Sequence, residues 1–570
     1  MQSNRTVNGA ERYSEWNAVN WRRANQSVRN LRQRIFRATA KGDLKRVRSL
    51  QKLMLRSHSN LLVSVRKVTQ VNAGKNTPGV DKLVIKTPEA RAELVKEIST
   101  TDFWRAKPAR RIYIPKANGK QRPLGIPVIK DRCLQAMVKN ALEPEWEAKF
   151  EGISYGFRPG RSCHDAIAKI YSIATPNKRK RWVVDADIKG AFDNISHQCL
   201  ETAIGYFPAR EMIRQWLKAG YTEKGQFHKT ETGTPQGAVV SPLLANIALH
   251  GIEEALTTYR TLRDGRRVKT RNGIWYRKNG EGSQLGRRTV VRYADDFTVF
   301  CESREDAEKV VNILTEWLKE RGLVLSPEKT RIVHLSEGFD FLGFNIRQFK
   351  TRTRKSGWKL LIRPSKESVK KIREKLRIKW RALRGREVSI VLKELNPIIR
   401  GWANYFRIGV SYRAFSALDH WMVHKAIRYA KRTHPTKPKY WWQAKYFGQL
   451  NNKRKDRWVF GDKRTGAHLL MFKWHKIERH ILVKGKASPD NPELREYWEH
   501  RRMMKFKDLT PSRQKVAKAQ NGVCPICGDW LFNEEELHCH HKKPKSEGGG
   551  NRYDNLALVH LYCHQQIHSD

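Results

Sequence analysis

At 570 residues the chain is longer than one hydrophobic core supports, so about three to five folded units are expected. Its 113 Lys and Arg against 56 Asp and Glu give a formal net charge of +57. That excludes an ordinary small-molecule enzyme and implies a polyanionic partner, nucleic acid above all. There is no run of about 18 apolar residues and no apolar signal segment behind Met1-Gln2-Ser3-Asn4-Arg5, so no membrane partner and a cytoplasmic location are expected. Of the eight cysteines, Cys133, Cys163, Cys199 and Cys301 are scattered and four lie beyond residue 520, a metal-binding pattern rather than a disulfide framework.

In chain order, residues 16–71 carry Val28, Leu31, Ile35, Leu50, Leu53, Leu61, Leu62 and Val65 at helical spacing among many cations, which predicts a basic helical arm. A turn-rich connector, 72–81, leads into a further helix. Residues 110–127 read as two short strands joined by an Asn118-Gly119 turn and studded with Arg and Lys. From 181 to 350 strand and helix patterns alternate, as in an α/β layer. One strand, 182–188, carries Asp187 near its end; helices are expected from about 198, over 241–256 and over 304–321.

The most informative segment follows Val290 and Val291, where Tyr293-Ala294-Asp295-Asp296 sets two acids between apolar strands. Buried carboxylates are costly unless paired or bound to a cation, and phosphoryl-transfer sites use such acids to hold two ions about 4 Å apart. Asp187, brought beside them, would complete a three-carboxylate site suited to Mg²⁺. From 366 to 446 the pattern is helical again, with Trp380, Leu383, Leu392, Leu395, Ile398, Ile399, Trp402 and Phe406 as the buried face. A Trp-, Tyr- and Lys-rich stretch, 440–506, fits stacking on unpaired bases or a small basic core.

The last fifty residues are rich in Cys, His, Gly and Asn. Cys524-Pro525-Ile526-Cys527 and His560-Leu561-Tyr562-Cys563 form two ligand pairs spaced for a structural tetrahedral zinc. Interleaved are His540-His541, Gly548-Gly549-Gly550, Asn555, His564 and His568. Removing zinc is expected to unfold only the tail beyond about residue 510.

Taken together, the basic hairpin, Asp187-Ile188-Lys189-Gly190-Ala191-Phe192-Asp193, Thr232-Gly233-Thr234-Pro235-Gln236-Gly237, the Asp295-Asp296 hairpin, Leu325-Ser326-Pro327-Glu328-Lys329-Thr330 and Phe341-Leu342-Gly343-Phe344 resemble the reverse transcriptase of group II intron-encoded proteins. Asn396-Pro397-Ile398-Ile399-Arg400-Gly401-Trp402-Ala403-Asn404-Tyr405-Phe406-Arg407 is similar to that family's maturase segment, and the tail to its HNH endonuclease. The resemblance implies a multidomain α/β and α protein. A right-hand polymerase fold, with fingers and palm, would carry a helical thumb or maturase domain, a basic DNA-binding region and a small ββα-metal zinc/HNH domain. The implied divisions are a basic N-terminal extension (1–71), fingers and palm (72–350), thumb or maturase domain (351–446), DNA-binding region (447–510) and HNH domain (511–570).

It further implies residue roles. Asp187, Asp295 and Asp296 would hold two Mg²⁺ ions. Lys116 and Arg122, with Arg110 beside them, would hold the triphosphate of the incoming deoxynucleotide. Phe192 would close off the ribose 2′ side or simply pack in the core, and Gln236 would lie at the nascent base pair. Lys329 matches a proton donor to pyrophosphate, though a helix-starting Ser-Pro-Glu-Lys is the preferred reading of those residues. In the tail, His540, His564 and His568 would hold Mg²⁺ or Mn²⁺, His541 would be the general base, Asn555 would pin its loop, and Cys524, Cys527, His560 and Cys563 would hold zinc. The partners implied are the intron RNA and target DNA, in a bacterial cytoplasm at the nucleoid. The alternatives are a splicing-only maturase that keeps the fold, or a stand-alone retron-type reverse transcriptase.

Overall fold

The computed structural model describes residues 16–100, 104–115, 119, 121–256, 268–270, 273–275 and 288–568. The basic arm folds as helices Trp21–Ala40, Leu44–Arg56 and His58–Arg66, the last continuing into a π-turn at Lys67–Val71. Each helix starts where a side chain serves an orphan backbone N–H: Asn20 accepts from Arg23, Asp43 from Arg46 and Ser57 from Asn60. Their apolar stripes close over the long helix Ile129–Lys149, burying Ile35, Val47, Met54, Ala141 and Leu142.

The palm sheet has four strands in the spatial order Arg331–His334, Trp182–Ala186, Asp296–Cys301, Thr289–Tyr293. Every neighbouring pair is antiparallel. Alternation of side chains then sends Val184, Ala186, Phe297 and Val299 into one core, against helix Arg304–Lys319, and Val183, Val291, Phe300 and Val333 into another, against helix Cys163–Ile173. The sheet is therefore covered on both sides, and its acids gather at one strand end. The helix expected over 241–256 is two, Ser241–Ala248 and Ile252–Ala255, interrupted at Gly251.

The basic hairpin, Ala109–Pro115 with Gln121–Ile126, adds through Ala109 in parallel to Tyr221–Glu223. Gly125 N donates to the Gln236 carbonyl at 2.7 Å, which seats the hairpin on the Pro235-Gln236-Gly237 loop.

Beyond a three-stranded sheet the thumb helices are Lys366–Ala382, Val388–Phe406 and Tyr412–Thr433. Of the expected buried face, Ile398 and Trp402 are only half-buried and the rest are buried. The maturase-like segment is mainly a packing element: Tyr405 stacks on Phe344 at 5.4 Å, its hydroxyl donates to the Leu342 carbonyl at 2.9 Å, and Trp402 meets Phe472 edge-on at 5.6 Å. In the stretch that follows, Trp442 is buried, whereas Tyr440 and Trp458 are exposed.

The tail does not stand apart. Helix Pro511–Ala519 and the hairpin Leu537–His541/Leu556–His560 share a core with Trp16, Trp21, Leu61, Val65 and Phe506.

Candidate functional site

Asp187 follows directly on a strand whose last residue, Ala186, faces Phe297. That register lays Asp187 beside Asp296, and Asp185, opposite Thr298, falls on the same face two residues back. Tyr293 pairs with Asp296 across a two-residue turn, Ala294-Asp295, in which Ala294 has φ +59°, the pattern of a tight II′ hairpin turn. Four carboxylates thus share one cleft. Asp295 and Asp185 are both pushed up, first by desolvation. Asp296 rises to about 7, through desolvation in the cleft and then through Asp295, Asp187 and Asp185. Asp296 itself is exposed at the strand end, so like-charge crowding is the firmer cause of its rise.

Two cations moderate this crowd. Lys329 Nζ lies 2.7 Å from Asp187 Oδ2, and Arg331 Nη2 lies 3.1 Å from Asp185 Oδ2. Residues 327–329 form a turn and no helix starts there, which corrects the helix-start reading: Lys329 is a palm residue. Among the described residues, Asp187, Asp295 and Asp296 do not bring their oxygens within 4.8 Å of one another as a closed ligand set. An excess of carboxylate oxygen over positive charge is the donor chemistry that suits a hard divalent cation.

The turn is held from behind by a residue that sequence reasoning passed over. Arg292 is fully buried, and its Nη1 donates to the Ala294 carbonyl at 3.3 Å and to Asn246 Oδ1 at 3.0 Å. Burial depresses its pKa to about 10. Nearby, burial opposes ionisation of Glu151, but His250, Arg292 and the Gly251 N–H hold it down to about 2. Gly156 lies so close to the turn that a Cβ there would sit 2.4 Å from the Ala294 nitrogen. An arginine inside an otherwise apolar strand was the available signal.

Of the other residues, Arg122 is exposed on the hairpin and its charge reaches Asp295. Arg110 is tied to the Pro78 carbonyl at 3.1 Å. Lys116 lies outside the described residues. Phe192 is half-buried, edge-on to the exposed Phe157 at 6.2 Å. Gln236 Nε2 is 3.4 Å from Asp193 Oδ2. In the thumb, Arg377, Arg381, Arg384, Lys425, Arg428 and Arg432 line a cleft of about 160 Å³, an accumulation of like charge suited to a polyanion.

In the tail, Cys524, Cys527, His560 and Cys563 are all buried with ligand atoms within 4.8 Å of one another. His560 Nε2 lies 3.1 Å from the Trp530 carbonyl, which leaves Nδ1, 3.3 Å from Cys527 Sγ, facing the sulfurs. A soft four-donor set with its histidine oriented from outside fits zinc.

A second group, His540, His564 and His568, also converges within 4.8 Å and is open to solvent. Asn555 ties the intervening loop, donating to the carbonyls of Lys543 and Gly550 and accepting from Lys543 N. The loop needs Gly549, whose Cβ would collide with the Lys543 oxygen at 1.9 Å. His541 Nε2 is paired at 2.9 Å with Asn551, a contact not read from the sequence, since Asn551 follows the glycines without a recognisable spacing.

Residues 114–346 match the model of reverse transcriptase (RNA-dependent DNA polymerase), and 16–98 match the N-terminal domain of reverse transcriptase. Residues 369–447 match the group II intron maturase-specific domain and 524–570 the HNH endonuclease. The chain is 34% identical over 325 residues to protein YkfC of Escherichia coli, covering 53% of this chain and 84% of that one. It is 31% identical over 427 residues to the group II intron-encoded protein LtrA of Lactococcus lactis, covering 63% of this chain and 70% of LtrA. The chain belongs to the group II intron-encoded proteins.

This intron-encoded protein is therefore multifunctional, an RNA-directed DNA polymerase with a maturase domain and a DNA endonuclease domain. Polymerase and endonuclease domains of these kinds use divalent metal ions, and the family acts on nucleic acid and binds intron RNA. Among the described residues no helix is long and apolar enough to cross a membrane.

Proposed function

We propose that the protein drives retrohoming of its own intron. It binds the folded intron RNA to promote splicing, its HNH unit cuts one strand of the target DNA, and the new 3′-hydroxyl primes copying of the intron RNA at the palm. The observation that carries this reading is the antiparallel register that delivers Asp187 to Asp295 and Asp296 across about a hundred residues of sequence.

Two Mg²⁺ ions on Asp187, Asp295 and Asp296 would activate the primer hydroxyl and stabilise the leaving group. In the step itself the primer hydroxyl releases its proton to solvent as its oxygen bonds the α-phosphorus, and the bond to pyrophosphate breaks. Lys329, next to Asp187, supplies a proton to the departing pyrophosphate. Arg122 and Lys116 hold the triphosphate, Phe192 lies against the ribose 2′ side, and Gln236 steadies the nascent pair. In the tail His541 takes a proton from water, the water oxygen joins the scissile phosphorus, and the P–O3′ bond breaks, the departing oxygen taking a proton from solvent to become the 3′-hydroxyl that a polymerase needs. Three imidazoles, His540, His564 and His568, suit Mn²⁺ better than Mg²⁺ at this second site. Zinc belongs to Cys524, Cys527, His560 and Cys563. The cationic thumb cleft takes intron RNA phosphates, and the DNA target gives the protein a place at the bacterial nucleoid.

The reading is tested by separating the activities in folded variants. Asp295→Ala should end RNA-templated primer extension and spare splicing, and His541→Ala should end second-strand cutting and spare extension. Loss of splicing in the first variant, or unchanged cutting in the second, overturns this division.

A further inference from the structure

The zinc-type cluster of the tail faces the N-terminal helices rather than solvent. Arg66, at the end of helix His58–Arg66, donates from Nη2 to Cys563 Sγ at 3.1 Å and lies 3.5 Å from Glu535. Its guanidinium sits 4.6 Å from the ring centre of Trp21, and only 8% of its side chain is exposed. On the adjoining helix Trp21–Ala40, Asn25 and Arg29 lie one turn apart on one face. They donate to the carbonyls of Cys527 and Gly528, at 2.9 and 3.2 Å, in the turn that carries two of the sulfurs. Outside these lie the ion pair of Lys67 with Glu534 at 3.0 Å and the bond from Gln566 to the Asn17 carbonyl at 2.6 Å.

Charge explains why an arginine belongs there. Three thiolates and a neutral imidazole around Zn²⁺ carry a net charge of −1. All four of these ligand residues are buried. A buried net charge is costly unless a hydrogen-bonded counter-charge meets it, and a thiolate bound to metal still accepts hydrogen bonds. Arg66 supplies the donor and a charge that it shares between the cluster and the buried Glu535 carboxylate, and it reaches the cluster from the reverse transcriptase side.

We propose that the zinc centre is an inter-domain clamp: Arg66 reads the metal-bound thiolates, and zinc thereby fixes the endonuclease unit in one orientation on the N-terminal helices. Metal loss would then loosen the polymerase's own N-terminal region, in place of the tail-only unfolding expected from sequence. The clamp rests on the zinc assignment and is independent of nuclease chemistry.

The test uses the full-length zinc-loaded protein, with zinc release to a chromogenic chelator and hydrogen exchange as readouts. Arg66→Met should release zinc about tenfold faster, the usual effect of losing an outer-sphere partner, and Arg66→Lys should fall between it and the parent. Asn25→Ala/Arg29→Ala leaves the sulfurs untouched and keeps the proposal testable should Arg66→Met fail to fold. In it, amides of 20–30 and of 524–530 should exchange faster together. In the parent, chelation should raise exchange over 16–71 as well as beyond 510. Zinc release at the parental rate in Arg66→Met, or chelation that leaves 16–71 unchanged, would overturn the clamp. A parent protein that holds no zinc as purified would overturn the metal assignment beneath it, which distinguishes the two failures.

Discussion

Replacing Arg292 by methionine tests how the acidic turn is held. The side chain is fully buried, and its Nη1 serves two acceptors, the Ala294 carbonyl and Asn246 Oδ1. Methionine fills much of the volume but strands both acceptors and removes a cation that faces Glu151. Breaking a buried charged arrangement of this kind costs about 3–5 kcal/mol of stability. The effect on chemistry is separable, because the lost contact fixes the backbone between Tyr293 and Asp295. A shift of about 1 Å in reacting groups lowers a rate about 100-fold. Single-turnover primer extension at saturating deoxynucleotide, below the lowered melting temperature, should therefore fall by about that factor, with strand cutting by the tail as an internal control of fold. Arg292→Lys keeps the charge without the fork and should be intermediate. A variant that melts earlier but extends primers at the parental rate per folded molecule would show that Arg292 only supports the core.

Gly156→Ala should disturb the same turn from its other side, because the new Cβ would lie 2.4 Å from the Ala294 nitrogen. Extension should fall at least as far as in Arg292→Met, and parental activity would refute the close approach. In the tail, Asn551→Ala should slow second-strand cutting about tenfold, roughly the worth of one orienting hydrogen bond to His541; an unchanged rate would leave Asn551 without that role. Burial pushes Asp419 up to about 6 even as Phe472 and Lys473 donate backbone N–H groups to it. A carboxyl raised on folding binds more protons folded than unfolded, so its contribution worsens as pH rises from about 4 to about 6. The unfolding free energy of Asp419→Asn relative to the parent, from denaturant titrations, should improve across that window by up to about 3 kcal/mol. A falling difference would refute the direction of the shift.

Much of the palm could be read from sequence because its acids break apolar runs. Asp187, Asp295 and Asp296 stand out against Val183, Val184, Val290 and Val299, and the two-residue turn needs only local pairing. What sequence could not supply was partnership at a distance. Lys329 read as a helix start because Ser-Pro-Glu-Lys is ordinary N-terminal chemistry, and only the fold carries it to Asp187. Asp185 and Arg292 also break apolar strands, but the partners they serve, Arg331 for one and Asn246 with the Ala294 carbonyl for the other, are legible only in the fold. The tail was recognisable from its ligand spacing, yet nothing in that spacing reveals that Cys563 faces Arg66. Trp442 and Trp458, equal in sequence, separate into a buried and an exposed ring.

The most direct test is the structure of the protein with primer–template, a non-hydrolysable deoxynucleotide and Mn²⁺ in place of Mg²⁺, read by anomalous scattering. Two ions should appear among Asp187, Asp295 and Asp296, with the three carboxylates drawn together and the Lys329 amine turned from Asp187 toward the triphosphate. Ions bound elsewhere, or Lys329 still paired with Asp187 in a complex that extends primers when Mn²⁺ and a natural deoxynucleotide are supplied, would contradict the palm assignment.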